Sequence, residues 1–139
     1  MPSRVKPLSM FLGVLMFMFG FLKFFQPIRG WFDVQIEQSH LPRVAVPFGK
    51  VSEVITGVLF LLPWLRRSLP DKSRQQILLL ACVMLFAQMA VAIYVHLQPG
   101  VPARVLPLGI KPPVIPIAVL LLDLLAAFHV SKELRAGQA

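Results

Sequence analysis

Charged residues are scarce in this sequence, and it contains a single cysteine. Only 14% of its 139 residues are Asp, Glu, Lys or Arg, against about 25% in an average soluble domain. A soluble chain of this length has too little core to bury a composition that is 57% hydrophobic. The lone Cys82 excludes an intramolecular disulfide and a dithiol redox motif, and we interpret it as a small apolar core residue. The composition therefore indicates an integral membrane protein.

Acidic residues are rarer than basic ones, with six Asp and Glu against 14 Lys and Arg. In a soluble domain such a balance would indicate nucleic-acid binding. Here the basic residues lie in the short segments between apolar runs, where they contact anionic lipid head groups. We therefore expect membrane lipid, and not nucleic acid, as a partner. The sequence also has no glycine-rich phosphate loop, nucleophile elbow or thiol pair.

Four apolar runs predict four membrane-crossing helices. They cover residues 8–25, 46–65, 77–97 and 113–130. Even the shortest, at 18 residues, reaches about 27 Å and spans most of the hydrocarbon core. The first run lacks the small residues of a signal-peptide cleavage site, so we expect it to be retained. The predicted fold class is all-α, a transmembrane four-helix bundle forming one domain over residues 1–139.

A short additional helix is predicted in the first outer loop. Ile28, Trp31, Phe32 and Ile36 recur at spacings of three and four residues. This periodicity gives one apolar face, which is typical of a helix lying at the membrane interface.

The distribution of basic residues predicts the orientation. Eight of the 14 fall on the side of the two termini and the middle loop, five fall on the other side, and Lys23 lies within the first helix. Cytoplasmic segments carry the excess of Lys and Arg. We therefore expect the cell's inner (plasma) membrane, with both termini in the cytoplasm.

Five titratable side chains lie at similar depth near the outer ends of the predicted helices. They are Lys23, His40, Glu53, His96 and Lys111. A four-helix bundle brings such positions toward one axis, so we expect one polar pocket there, covered by the interfacial helix. Its candidate catalytic residues are Glu53 and His96, and its candidate ligand-binding residues are Lys23, Trp31, His40 and Lys111. A purely structural Lys23–Glu53 ion pair is the alternative.

Two further polar residues lie near mid-membrane, Gln88 in the third helix and Asp123 in the fourth. We expect them to form a structural hydrogen-bonded pair, with Asp123 in a proton relay as the alternative. His40, His96 and Glu53 are of suitable types for a metal, but no two have tight ligand spacing, so no metal site is predicted.

Three segments carry a resemblance to a known family. They are Gly20-Phe21-Leu22-Lys23, His40-Leu41-Pro42, and the second-helix run from Glu53 through Gly57 to Pro63. With them the chain resembles the DoxX-like family of small four-helix membrane proteins over roughly residues 11–125. The resemblance implies a membrane subunit, linked in some members to quinone-dependent oxidation of sulfur compounds and in others to membrane-protein assembly. Lys23, Glu53 and Gly57 match the pattern, whereas His96 and Asp123 cannot be mapped onto it.

Three functions remain open at this point. The first is a non-catalytic partner or assembly factor of a membrane complex, which binds another membrane or peripheral protein or a second copy of itself. The second is a quinone-linked oxidoreductase subunit, with quinone as cofactor and Glu53 and His96 exchanging its protons. The third is a transporter or isomerase for a lipophilic substrate that uses the carboxylates of Glu53 and Asp123.

The topology is testable with a reporter that is active only in the cytoplasm. Fused after the C-terminus it should be active, and inserted after Gln98 it should be silent, because the charge bias places these points on opposite faces. The reverse pattern of activities would contradict the orientation.

Overall fold

The computed structural model describes residues 4–138, and its regular structure is entirely helical there. The helices in chain order are α1 (Val5–Leu22), α2 (Ile28–Gln38), α3 (Ala45–Leu65), α4 (Asp71–Leu97) and α5 (Val114–Gln138). Four of them, all but α2, are long and apolar enough to cross a membrane. The predicted all-α fold with four spanning helices is confirmed, and the short helix predicted in the first loop is present as α2.

The helix ends differ from the predicted ones for identifiable reasons. Helix α1 ends at Leu22 because the next three residues form tight turns, in which Phe25 N–H donates to the Leu22 carbonyl at 3.1 Å. Helix α4 begins at Asp71, six residues before the apolar run. Pro70 precedes it in an extended conformation, and an acidic residue in the first turn suits the helix dipole. Hydropathy marks only the apolar part of a helix and misses such polar turns.

The four long helices form a ring in which each packs against two others. Helix α1 contacts α3, α3 contacts α4, α4 contacts α5, and α5 returns to α1. The interior is filled by apolar side chains from all four helices, including Leu12, Met16, Phe60, Leu78, Leu85, Val119 and Ala126. Large apolar side chains also cover the outside, as Val83 at 66% and Leu121 at 61% exposure illustrate. Such a surface suits lipid, and the chain is a multi-pass membrane protein.

Glycines hold α1 and α3 in backbone contact. A Cβ added to Gly57 would lie 2.5 Å from the Phe17 nitrogen and 2.8 Å from the Gly13 carbonyl oxygen. One added to Gly20 would lie 2.7 Å from the Val54 nitrogen. Small residues at such crossings allow helices in a membrane to approach closely, and packing then replaces the missing hydrophobic driving force. We call this contact the glycine seam.

One end of the bundle is covered by α2 and by the segment before α5. Phe32 and Ile36 are the buried residues of α2. The Gln35 amide donates to the Val105 carbonyl oxygen at 2.5 Å, and Val105 belongs to a short 3-10 helix, Ala103–Val105. We call this end the capped end; it is the end predicted to face outward.

The glycine seam predicts the effect of one added methyl group. Gly57→Ala should lower the free energy of unfolding by about 1–3 kcal/mol, because the methyl must push two backbones apart. Gly137→Ala is the matched control, since nothing lies within 4 Å of the Cβ it would add. Thermal unfolding of the purified variants in lipid nanodiscs measures both. Equal unfolding midpoints for the two variants would contradict the close approach.

Candidate functional site

Lys23 and Glu53 form an ion pair near the capped end. The Lys23 Nζ lies 2.6 Å from each carboxylate oxygen of Glu53. The seam sets this register, because Gly20 contacts the α3 backbone at Val54 and Lys23 follows on the next turn. Only 16% of the lysine side chain and 13% of the glutamate side chain are exposed. The structure thus shows the ion pair that the sequence left as an alternative.

The pair is covered by an aromatic ring of α2. The Lys23 Nζ lies 4.5 Å from the centroid of the Phe32 ring, which places the cation over its π face. Phe32 is buried, and its ring edge lies against Gly49 of α3, where a Cβ would come within 3.0 Å. Trp31, a predicted ligand-binding residue, instead lies on the exposed side of α2. The covering part of the predicted lid is therefore Phe32.

Lys111 and His96 belong to a second polar group at the capped end. The Lys111 ammonium donates to the carbonyl oxygens of Gln98 and Val101, at 2.5 and 2.8 Å, and closes the loop that follows α4. His96 is 5% exposed, and its Nδ1 lies 2.8 Å from the Ala92 carbonyl oxygen of the preceding turn. Its Nε2 is buried without a hydrogen-bond partner.

The five titratable groups expected to share one pocket are not joined in one hydrogen-bonded cluster in the described part of the chain. Across residues 4–138, no hydrogen bond or ion pair links Glu53 with His96, and each pairs within its own group. His40 is exposed, in a left-handed conformation with φ 58° at the turn after α2. Depth along a helix does not determine the direction of a side chain, and α2 with its following loop occupies part of the capped end. Within the same residues, no three His, Cys, Asp or Glu side chains are placed to hold a metal.

Gln88 pairs with a residue other than the one predicted. Its amide donates to the Thr56 hydroxyl of α3 at 2.9 Å, and that hydroxyl donates to the Ser52 carbonyl oxygen at 2.8 Å. The predicted Gln88–Asp123 pair is therefore wrong. Helices α4 and α5 are staggered so that Cys82 lies beside Asp123. Gln88 lies six residues further along α4, about 9 Å away along the axis.

Asp123 is the most deeply buried acidic side chain that the structure describes. It is 1% exposed, and its Oδ1 has no hydrogen-bond partner. With Cys82 it lies at the back of a crevice of about 190 Å³ between α4 and α5. The remaining lining residues are apolar: Leu79, Val83, Phe86, Leu124 and Ala127. Nothing in the sequence spacing of Cys82 and Asp123 indicates this contact, which only the packing of α4 on α5 creates.

Another polar group joins α1, α3 and α4 at the end opposite the cap. The Trp64 indole donates to the Ser9 hydroxyl at 3.1 Å, and Ser9 donates to the Phe60 carbonyl oxygen at 2.7 Å. The Arg74 guanidinium lies 5.3 Å from the centre of the Trp64 ring. Sequence reasoning missed this group, because isolated Ser and Trp residues in apolar runs carry no distinctive pattern.

The Lys23–Glu53 pair is testable by a double-mutant cycle. Glu53→Gln should lower the free energy of unfolding by about 3 kcal/mol, because it leaves a largely buried ammonium without its counter-charge. Combining it with Lys23→Met should recover most of that loss. Unfolding in nanodiscs measures each variant.

The exposed Asp71–Arg74 pair supplies the matched control. Its Asp71 side chain is 87% exposed, so Asp71→Asn should change the free energy of unfolding by less than about 1 kcal/mol. A double variant at Lys23 and Glu53 that is no more stable than Glu53→Gln alone would show that the two charges do not stabilise each other.

Comparison with protein families, with curated proteins and with solved structures gave no match to this chain. The geometry of its own side chains is therefore the basis for any functional conclusion.

Proposed function

We propose that this protein is a small non-catalytic subunit of a membrane complex, a partner or assembly factor of another membrane protein. The observation that carries the proposal is the closed Lys23–Glu53 pair, in which both carboxylate oxygens lie 2.6 Å from the ammonium beneath Phe32. A group that is already neutralised and covered stabilises the fold. It is not poised to exchange protons with a substrate.

The other polar groups of the capped end support the same conclusion. Lys111 is occupied by two backbone carbonyl oxygens, and His96 Nδ1 by one. Two clefts between the helices, of about 260 and 190 Å³, include neither Glu53 nor His96 in their linings. A catalytic site for a lipophilic substrate needs converging polar groups in an accessible pocket. The described polar groups instead join helices and loops to each other.

The quinone-linked alternative rests on one observation. His96 Nε2 is buried without a partner, and a quinone oxygen at that position would satisfy it. Proton exchange at Glu53 would additionally require Lys23 to release the carboxylate. This requirement makes the alternative the weaker of the two.

The proposal places the chain in the cell's inner membrane with both termini in the cytoplasm, as the excess of basic residues on that side favours. The capped end then faces outward. The resemblance to the DoxX-like family agrees with a subunit role, since Lys23, Glu53 and Gly57 all have structural functions here: two form the ion pair and one the glycine seam.

Native electrophoresis of gently solubilised membranes tests the subunit role. A tagged chain should migrate with a complex, and its extract should contain much less than one quinone per chain. The Lys23→Met/Glu53→Gln double variant should still enter the complex, because it replaces one neutral pair by another. A chain that migrates alone contradicts the proposal. So does a stoichiometric quinone that Glu53→Gln removes without loss of folded protein, and that result would favour the quinone-linked alternative.

A further inference from the structure

Asp123 is the one described acidic side chain with a buried oxygen that has no hydrogen-bond partner. Buried polar groups are nearly always hydrogen-bonded, and an unsatisfied one is costly in a low-dielectric medium. Acidic residues within a membrane span usually pair with another side chain or line a water-filled path. Within the chain Asp123 contacts the thiol of Cys82, which is only a weak donor, and its Oδ1 has no partner. The carboxylate is therefore open to a stronger donor from outside the chain.

A partner would reach Asp123 through the crevice between α4 and α5. Asp123 and Cys82 lie at its back, and Val83, Phe86 and Leu124 flank it with 66%, 50% and 47% of their surfaces exposed. These apolar walls belong to the lipid-facing surface of the bundle. The crevice therefore opens sideways into the membrane and not toward either aqueous face.

The depth of Asp123 in the membrane restricts which kind of molecule can bind in the crevice. Asp123 is the tenth residue of α5, about 15 Å along the axis and hence near the middle of a hydrocarbon core about 30 Å thick. Head groups of lipids and of single-chain amphiphiles are held at the membrane surface and do not lie at this depth. In contrast, a polar side chain on a transmembrane helix is held at this depth by the backbone of that helix. The volume of the crevice, about 190 Å³, also suits one long side chain better than a whole lipid.

We propose that the α4–α5 crevice binds a transmembrane helix of a partner protein that carries a lysine near its mid-point. The ammonium of that lysine would lie against Asp123, and the apolar stem would lie along the crevice walls. Charge complementarity supports lysine, because a basic side chain both satisfies the open oxygen and balances its charge in a medium without water. This inference rests on the proposed subunit role and specifies the partner's chemistry.

Synthetic transmembrane peptides test the site directly. The purified, labelled protein is reconstituted in phosphatidylcholine vesicles with a leucine-rich helical peptide that has one central lysine or, in the matched peptide, leucine there. Energy transfer should show about tenfold tighter binding of the lysine peptide. Asp123→Asn should abolish that preference. The exposed Asp33→Asn of α2, which removes the same charge at the surface, should leave it intact.

A second variant tests the crevice without removing the acid. Val83 forms one wall and is 66% exposed, so Val83→Trp should fill the crevice from the lipid side. It should reduce binding of the lysine peptide to that of the leucine peptide. Val14→Trp on α1, at a position that is 50% exposed, is the matched control and should leave the preference intact. This variant decides the question if Asp123→Asn fails to fold.

Several results would overturn the proposal. These are equal binding of both peptides, a lysine preference that survives in Asp123→Asn, and a lysine preference that survives in Val83→Trp. Asp123-dependent energy transfer between two copies of this protein would assign the face to self-association instead. The peptide assay contains no native complex. A chain that runs alone in native electrophoresis but binds the lysine peptide therefore contradicts only the subunit role, and the reverse result contradicts only this site.

Discussion

The close contact of α1 with α3 is the constraint on which most of this structure depends. At Gly57 and Gly13 the two helices are so close that a Cβ atom on either glycine would clash with the other helix. Lipid is as apolar as the helix surface, so such packing has to supply what the hydrophobic effect supplies in water. The contact also sets the register that puts Lys23 beside Glu53, and α2 then packs Phe32 over the pair.

Most polar side chains of the bundle are satisfied internally, but a few buried polar atoms are not, among them His96 Nε2 and Asp123 Oδ1. Ion pairing and carbonyl contacts occupy the ammonium groups of Lys23 and Lys111, while Gln88 and Thr56 connect α4 to α3. These interactions lower the cost of polar atoms in the membrane and fix the helix arrangement. Asp123 differs, because its Oδ1 has no hydrogen-bond partner and its side chain lines a crevice on the lipid side. The satisfied groups favour a structural role, and Asp123 lies where we propose that a partner helix binds.

A high density of titratable groups therefore does not by itself indicate a catalytic site in this protein. The capped end has the highest density of titratable groups and would ordinarily be the first place to look for catalysis. Lys23 and Glu53 are nevertheless engaged with each other, and Lys111 and the Nδ1 of His96 with backbone carbonyl oxygens. The sparser α4–α5 face carries only one acid and one thiol, yet it has an unmet hydrogen-bond requirement. On the lipid-facing side of a membrane helix, a polar side chain of a neighbouring helix can meet such a requirement.

The sequence by itself determined the membrane class, the four crossings and the short helix in the first loop, because these follow from composition and from periodicity along a single helix. It also identified Lys23 and Glu53 as possible partners, from their similar depth. Only the tertiary structure decided that Glu53 pairs with Lys23 and not with His96, that Gln88 contacts Thr56, and that Cys82 lies beside Asp123. Those outcomes depend on helix rotation and stagger. Steric contacts such as the glycine seam set both, and no pattern within one helix encodes them.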